Sequence, residues 1–94
     1  MSSVLVIEDE ENLARFVELE LQHEGYETHV EDNGRSGLDA ALANDFDLIL
    51  LDLMLPELSG LEVARRLREE KNTPIIMMTA RDSVIDRVSG LDYG

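Results

Sequence analysis

The sequence contains no cysteine and no tryptophan, and only two prolines, two tyrosines and two phenylalanines in 94 residues. Without cysteine there can be no disulfide, thiolate nucleophile or thiolate metal site, a composition suited to a reducing compartment. Basic side chains are also scarce: 8 Lys and Arg stand against 21 Asp and Glu, a formal charge of −13. Polyanions are held by clustered Lys and Arg, so this balance argues against direct binding of DNA, RNA or an anionic membrane by this segment. Cations and basic partner surfaces remain open. Long apolar runs are missing too. Residues 4–7, 48–51 and 75–78 form runs of four residues each, against the roughly 20 needed to span a bilayer. The start Met1-Ser2-Ser3 has neither the basic nor the apolar region of a secretory signal, so a cytoplasmic location is expected. The six glycines form no G-x-G-x-x-G and no G-K-[ST], which argues against a nucleotide cradle. At 44% hydrophobic and 31% charged the chain is globular rather than disordered, and its length allows one domain over 1–94.

The apolar residues that are present fall into alternating periods. Val4-Leu5-Val6-Ile7 is a continuous β-branched run, the signature of a strand buried on both faces of a parallel sheet. Leu13, Phe16, Val17 and Leu21 follow on one face of a helix that Gly25 can terminate. Tyr26, Thr28 and Val30 alternate with charged or polar residues as in a strand nearer the sheet edge. Leu38, Ala41 and Leu42 mark a second, short helix, and Leu48-Ile49-Leu50-Leu51 repeats the buried-strand pattern, ending on Asp52. Beyond Pro56, Ser59 and Glu62 match a capping box before a helix that carries Leu61, Val63, Ala64 and Leu67 inward. Arg65, Arg66, Arg68 and Lys71 crowd the last turns of that helix and read as a solvated helix end that complements its dipole. Pro74 opens a fourth strand over 75–78, and Asp82 or Ser83 can cap a last helix bearing Val84, Ile85, Val88 and Leu91.

This β-α-β-α-β-α-β-α order implies an α/β fold, a parallel sheet with helices on both faces. The two runs least tolerant of water should be adjacent and central, which predicts the flavodoxin-like doubly wound order 2-1-3-4. Ligands of such sheets gather where the winding reverses, at the carboxyl ends of the first and third strands. Those ends read Glu8-Asp9 and Asp52. Two carboxylates about 4 Å apart repel by about 4 kcal/mol at an effective dielectric near 20, against a domain stability of roughly 5 to 15 kcal/mol. Such a cluster needs protonation, a buried base or a metal ion, and an all-oxygen set suits Mg²⁺ or Mn²⁺ better than zinc. A metal beside Asp52 would also make that carboxylate a plausible phosphoryl acceptor. Thr79, at the same edge, could donate its hydroxyl to a phosphoryl oxygen. Glu10 and Glu11 are read as favouring the positive end of the first helix. His23 and His29 have no second histidine at ligand spacing and receive no chemistry, while Met54, Met77 and Met78 read as core filling.

Three ordered motifs carry a family resemblance: Val4-Leu5-Val6-Ile7-Glu8-Asp9-Glu10; Leu50 to Pro56 with Ser59-Gly60-Leu61-Glu62; and Pro74 to Arg81. Together they resemble the CheY-like receiver domain of bacterial response regulators, and the stretch Met77 to Asp82 with the ending Gly90-Leu91-Asp92-Tyr93-Gly94 resembles the OmpR/PhoB subfamily, whose members usually carry a DNA-binding domain after the receiver. The resemblance implies that Asp52 is the phosphoacceptor. It further implies that Mg²⁺ contacts Asp9, Asp52 and the backbone carbonyl of Met54, with Glu8 acting through water, and that Thr79 is the switch hydroxyl. Pro56 and Gly60 match the loop that shapes the acceptor pocket. The phosphoryl group would come from a sensor histidine kinase, with the receiver assisting its own phosphorylation rather than acting as an enzyme, and DNA would be reached only through a domain outside this chain.

Family receivers also have a fifth strand and helix, opened by a lysine-proline pair that binds the phosphoryl group, and this sequence stops before them. A receiver so shortened would leave the fourth strand as an open apolar edge, and self-association through it is expected. Two other functions compete. A metal-dependent phosphatase with an aspartyl intermediate usually needs a second acid two residues after the nucleophile, where this chain has Met54. The other is a truncated fragment that self-associates and no longer takes phosphate.

Overall fold

The computed structural model describes residues 2–78, which fold as β1 (Ser3–Ile7), α1 (Glu11–His23), β2 (Glu27–Glu31), α2 (Gly34–Ala43), β3 (Leu48–Asp52), α3 (Gly60–Arg68) and β4 (Ile75–Met78). The four strands form one parallel sheet in the order β2-β1-β3-β4, as the buried-run pattern predicts. Register runs straight across the sheet: Leu5 pairs with Ile49 and Ile49 with Ile75, while Ile7 pairs with Leu51 and Leu51 with Met77. Side chains alternate between faces along a strand, so these six apolar residues share one face. With Leu38 and Ala41 of α2, Leu58, and Val63, Ala64 and Leu67 of α3 they make the hydrophobic core. The last helix expected from Val84, Ile85, Val88 and Leu91, and Thr79 with it, lies outside the described residues.

Local chemistry explains the element ends. Glu10 caps α1, its carboxylate accepting from the Leu13 amide at 2.6 Å, and Glu11 stands in the first turn. Gly25 ends that helix with φ +94°, the Tyr26 amide reaching the Leu21 carbonyl and the Gly25 amide the Gln22 carbonyl. Those paired bonds are the Schellman arrangement, which needs a left-handed residue that glycine adopts at least cost. Ser59 caps α3 through the Glu62 amide, but only half of the expected capping box forms. The Glu62 carboxylate turns to Arg65 and Arg66 instead, because two guanidiniums offer a charged partner where the Ser59 amide offers a neutral one.

Several side chains depart from the sequence expectation. Phe16 and Leu61 were expected to face inward but are 60% and 51% exposed. At about 100° per residue each lies more than a quarter turn from the centre of its helix's covered stripe, outside the face that packing covers. Tyr26 precedes β2 rather than belonging to it and is exposed. Met54, expected in the core, is 68% exposed, because it follows the strand end in a loop at the top of the sheet. Burial on both faces holds for Val4 to Ile7 of β1, whereas Leu48 and Leu50 of β3 and Ile76 and Met78 of β4 are half-buried among the described residues. Deleting a core side chain such as Leu5, which is wholly buried, is expected to cost about 2–5 kcal/mol in Leu5→Ala. Phe16→Ala should stay within about 0.5 kcal/mol of the parent. Urea unfolding midpoints of the two variants check both values.

Candidate metal centre and acceptor site

β1 and β3 are neighbours running the same way, so the residues that end them meet at one edge. Glu8 directly follows Ile7, and its amide donates to the Glu31 carbonyl at the end of β2 (3.0 Å), fixing the chain as it leaves the sheet. Asp52 is the last residue of β3. Glu8, Asp9 and Asp52 each place a carboxylate oxygen within 4.8 Å of the others. Glu8 and Asp52 are almost fully buried, at 1% and 2% exposure, while Asp9 is exposed. The three acids predicted from the two strand ends are therefore brought together. Met54 takes part through its backbone: its amide donates to Asp52 Oδ1 at 3.2 Å.

Few donors offset this buried charge. The Glu10 amide donates to Glu8 Oε2 at 2.9 Å, a contribution that nothing in the sequence signals, whereas Glu8 Oε1 is buried without a hydrogen-bond partner among the described residues. Burial is the largest cause that pushes the Glu8 carboxyl up to about 7, with the neighbouring charges of Asp52 and Asp9 adding to it and the Glu10 amide opposing. Burial also raises Asp52, against the pull of the Met54 amide. Both shifts mark carboxylates buried beside like charges. Glu8 and Asp9 also border an open groove of about 680 Å³ with Glu11, Arg15, Glu31 and Asp32, whose acidic mouth favours cations.

The loop from Leu53 to Ser59 is held at both ends. The Leu53 amide donates to the Met78 carbonyl and the Gly60 amide to the Leu53 carbonyl, each at 3.0 Å. A Cβ at Gly60 would stand 2.1 Å from the Asp52 carbonyl oxygen, so only glycine lets α3 start this close to the end of β3. Pro56, expected with Gly60 to shape the pocket, accepts from both the Leu58 and the Gly34 amides. The histidines and the basic run lie elsewhere. His23 is exposed in the last turn of α1, and His29 pairs with Glu31. Arg65 and Arg66 pair with Glu62, and Lys71 donates to the Ala41 and Asn44 carbonyls and to Asp45.

A sequence profile described as the response regulator receiver domain matches residues 4–94. The chain belongs to that family. This receiver is 56% identical over 94 residues to the response regulator ArlR of Staphylococcus haemolyticus, a match covering all of this chain and 43% of that protein. It thus spans less than half the length of the curated relatives it matches. Among solved structures, the Francisella response regulator 1452 receiver domain superposes with a TM-score of 0.86 at 33% identity, over 100% of this chain and 78% of that one. The Thermotoga maritima response regulator TrrA, solved in complex with Mg²⁺ and BeF, gives 0.82 at 40% identity over 87% of this chain and 72% of its own. TrrA has also been solved in complex with the histidine kinase ThkA.

The raised Glu8 carboxyl has a pH signature. Its folded value, about 7, lies above the ordinary 4.5, so between those values the folded receiver holds the proton more tightly than the unfolded chain does. The stability tied to this group is fully present below 4.5 and is lost as pH rises through about 7. Metal-free receiver should therefore melt lower at about pH 8 than at about pH 5.5, and Glu8→Gln should shrink the difference, as followed by thermal circular dichroism.

Proposed function

We propose that this receiver is the phosphoacceptor module of a two-component regulator of transcription, in which Asp52 takes a phosphoryl group from a phosphohistidine on a sensor histidine kinase. The observation that carries this reading is the meeting of the Glu8, Asp9 and Asp52 carboxylates within 4.8 Å at the sheet's carboxyl edge. The residues present fit a hard divalent cation: every side-chain donor is an oxygen, and the buried Glu8 Oε1 has no partner among the described residues. Mg²⁺ or Mn²⁺ would be held by Asp9, Asp52 and the Met54 carbonyl, with Glu8 acting through water. Bound there, the ion supplies positive charge that offsets the charge of the incoming phosphoryl group.

In the transfer an Asp52 oxygen bonds to phosphorus as the bond from phosphorus to the imidazole nitrogen of the kinase breaks, and the imidazole keeps the electron pair and takes up a proton. The chain's own part is to hold Asp52. The Met54 amide fixes one oxygen of Asp52, and the approach of Gly60 fixes its backbone. Thr79 is assigned as the switch hydroxyl that turns toward the phosphoryl group. The donor is a histidine kinase by analogy with TrrA, which has been solved with ThkA. DNA would be reached through a part of the regulator outside this chain, given that the receiver spans 43% of ArlR. No helix of the described residues is long and apolar enough to cross a membrane, and the cytoplasm is the proposed location.

β4 pairs only with β3 among the described residues, and self-association of the 94-residue chain through its other edge is proposed with it. Sedimentation velocity should show association that grows with concentration, and a monomer throughout would overturn this point. Incubation with acetyl phosphate and Mg²⁺ should add one phosphoryl mass, lost in Asp52→Asn, by intact mass spectrometry. An unmodified parent chain would favour a fragment that no longer takes phosphate.

A further inference from the structure

We infer that Gly34, the first residue of α2, is a positioning residue for the acceptor loop, clamping its tip so that Met54 is presented correctly to Asp52 and to a divalent cation. This rests on the proposed function, and it assigns a role to a residue 18 positions before the acceptor that touches neither carboxylate nor cation. The Gly34 amide donates to the Pro56 carbonyl at 3.3 Å, and the same carbonyl accepts from the Leu58 amide at 2.8 Å. That second bond closes a tight three-residue turn centred on Glu57, whose φ of +68° is left-handed in a residue with a full side chain. A turn of this kind is strained and persists only where its surroundings hold it.

Gly34 is what holds it from outside. A Cβ at this position would stand 1.8 Å from the Leu58 carbonyl oxygen and 2.8 Å from the Leu58 Cβ, so no other residue allows the loop to lie against the helix. Its amide belongs to the first turn of α2, where backbone donors have no partner within the helix. Asn33 already serves the Ser36 amide at 2.8 Å, and the Gly34 amide is left for the loop. The buried Leu58 side chain anchors the same stretch to the core. Met54 therefore lies between two fixed points, the bond from Gly60 to Leu53 on one side and the bond from Gly34 to Pro56 on the other. Three residues along, Gly37 sits against Ile7, where a Cβ would stand 2.6 Å from the side chain. One face of α2 thus touches both arms of the site, the strand that leads to Glu8 and the loop that follows Asp52.

The test is a Mg²⁺ titration of the whole chain by amide NMR, with Gly25 as the control glycine. Nothing lies within 4 Å of a Cβ at Gly25, although its φ is +94°, so Gly25→Ala strains the backbone far from the loop. In the parent chain the Gly34 amide resonance should shift with the same midpoint as those of Asp9 and Met54, while that of Gly25 stays still. Gly34→Ala should weaken Mg²⁺ affinity on the order of tenfold, the usual scale for groups that orient ligands, and should speed hydrogen exchange at Leu58 in the metal-free chain. Gly25→Ala should lower the melting temperature without changing Mg²⁺ affinity. If Asp9 and Met54 respond but Gly34 does not, or if Gly34→Ala binds Mg²⁺ as the parent does, the positioning role is wrong and the proposed function stands. If Asp9 and Met54 do not respond, the proposed function falls and this inference falls with it. Should Gly34→Ala fail to fold, the parent's amide response decides alone.

Discussion

Three carboxylates share one edge of a small sheet, and two of them are almost wholly out of water. In isolation this is unfavourable, since each close pair repels by about 4 kcal/mol at an effective dielectric near 20. The fold opposes that repulsion with an apolar core that α2 and α3 seal against β1, β3 and β4, and with two backbone amides, those of Glu10 and Met54. The buried Glu8 Oε1 has no hydrogen-bond partner among the described residues. Stability is thus held below what the scaffold would otherwise allow, at the place where a cation and a phosphoryl group would together complete the electrostatics.

Among the described residues, the cations around α3 do not relieve this deficit. Four basic residues end or follow α3, yet they are used locally. Arg65 and Arg66 engage Glu62, and Lys71 closes the carboxyl end of α2 through the Ala41 and Asn44 carbonyls. Exposed pairs of this kind contribute little individually, but they keep mobile cationic side chains on the flank of the molecule. The groove beside Glu8 and Asp9 contains Arg15, which is paired with Glu18. The mouth of the site remains acidic, which suits a small diffusible cation and disfavours an uncomplexed anion.

The loop after Asp52 has the opposite requirement. It is exposed at Met54 and yet holds backbone groups in fixed places, and it does so through close contacts of glycine. Gly60 lets α3 begin against the Asp52 carbonyl, and Gly34 lets α2 begin against Leu58. Both contacts use helix starts, where unpaired amides are available to fix the loop. Exposed Met54 therefore sits on a backbone that is not free to wander.

Much of this was legible beforehand, because period and termination are local properties of the chain. Short continuous apolar runs that stop on acids identified β1 and β3 and, through the winding rule, placed Glu8, Asp9 and Asp52 at one edge. Glu10 and Gly25 announced the two ends of α1. The depth of each side chain was not legible, because it depends on what lies opposite. Phe16 and Leu61 keep their helical phase but fall outside the width that neighbouring elements cover, and Met54 follows an apolar strand into solvent. Nor could the sequence show that Glu8 would lose its water, that the Glu10 amide would partly compensate it, or that Gly34 would meet Leu58. Each of those facts joins residues whose separation, burial or backbone orientation is set only when the layers pack. Sequence alone therefore determined which elements form and which acids converge; tertiary structure decided how dry those acids are and what holds them, since solvation and contact belong to the assembled fold.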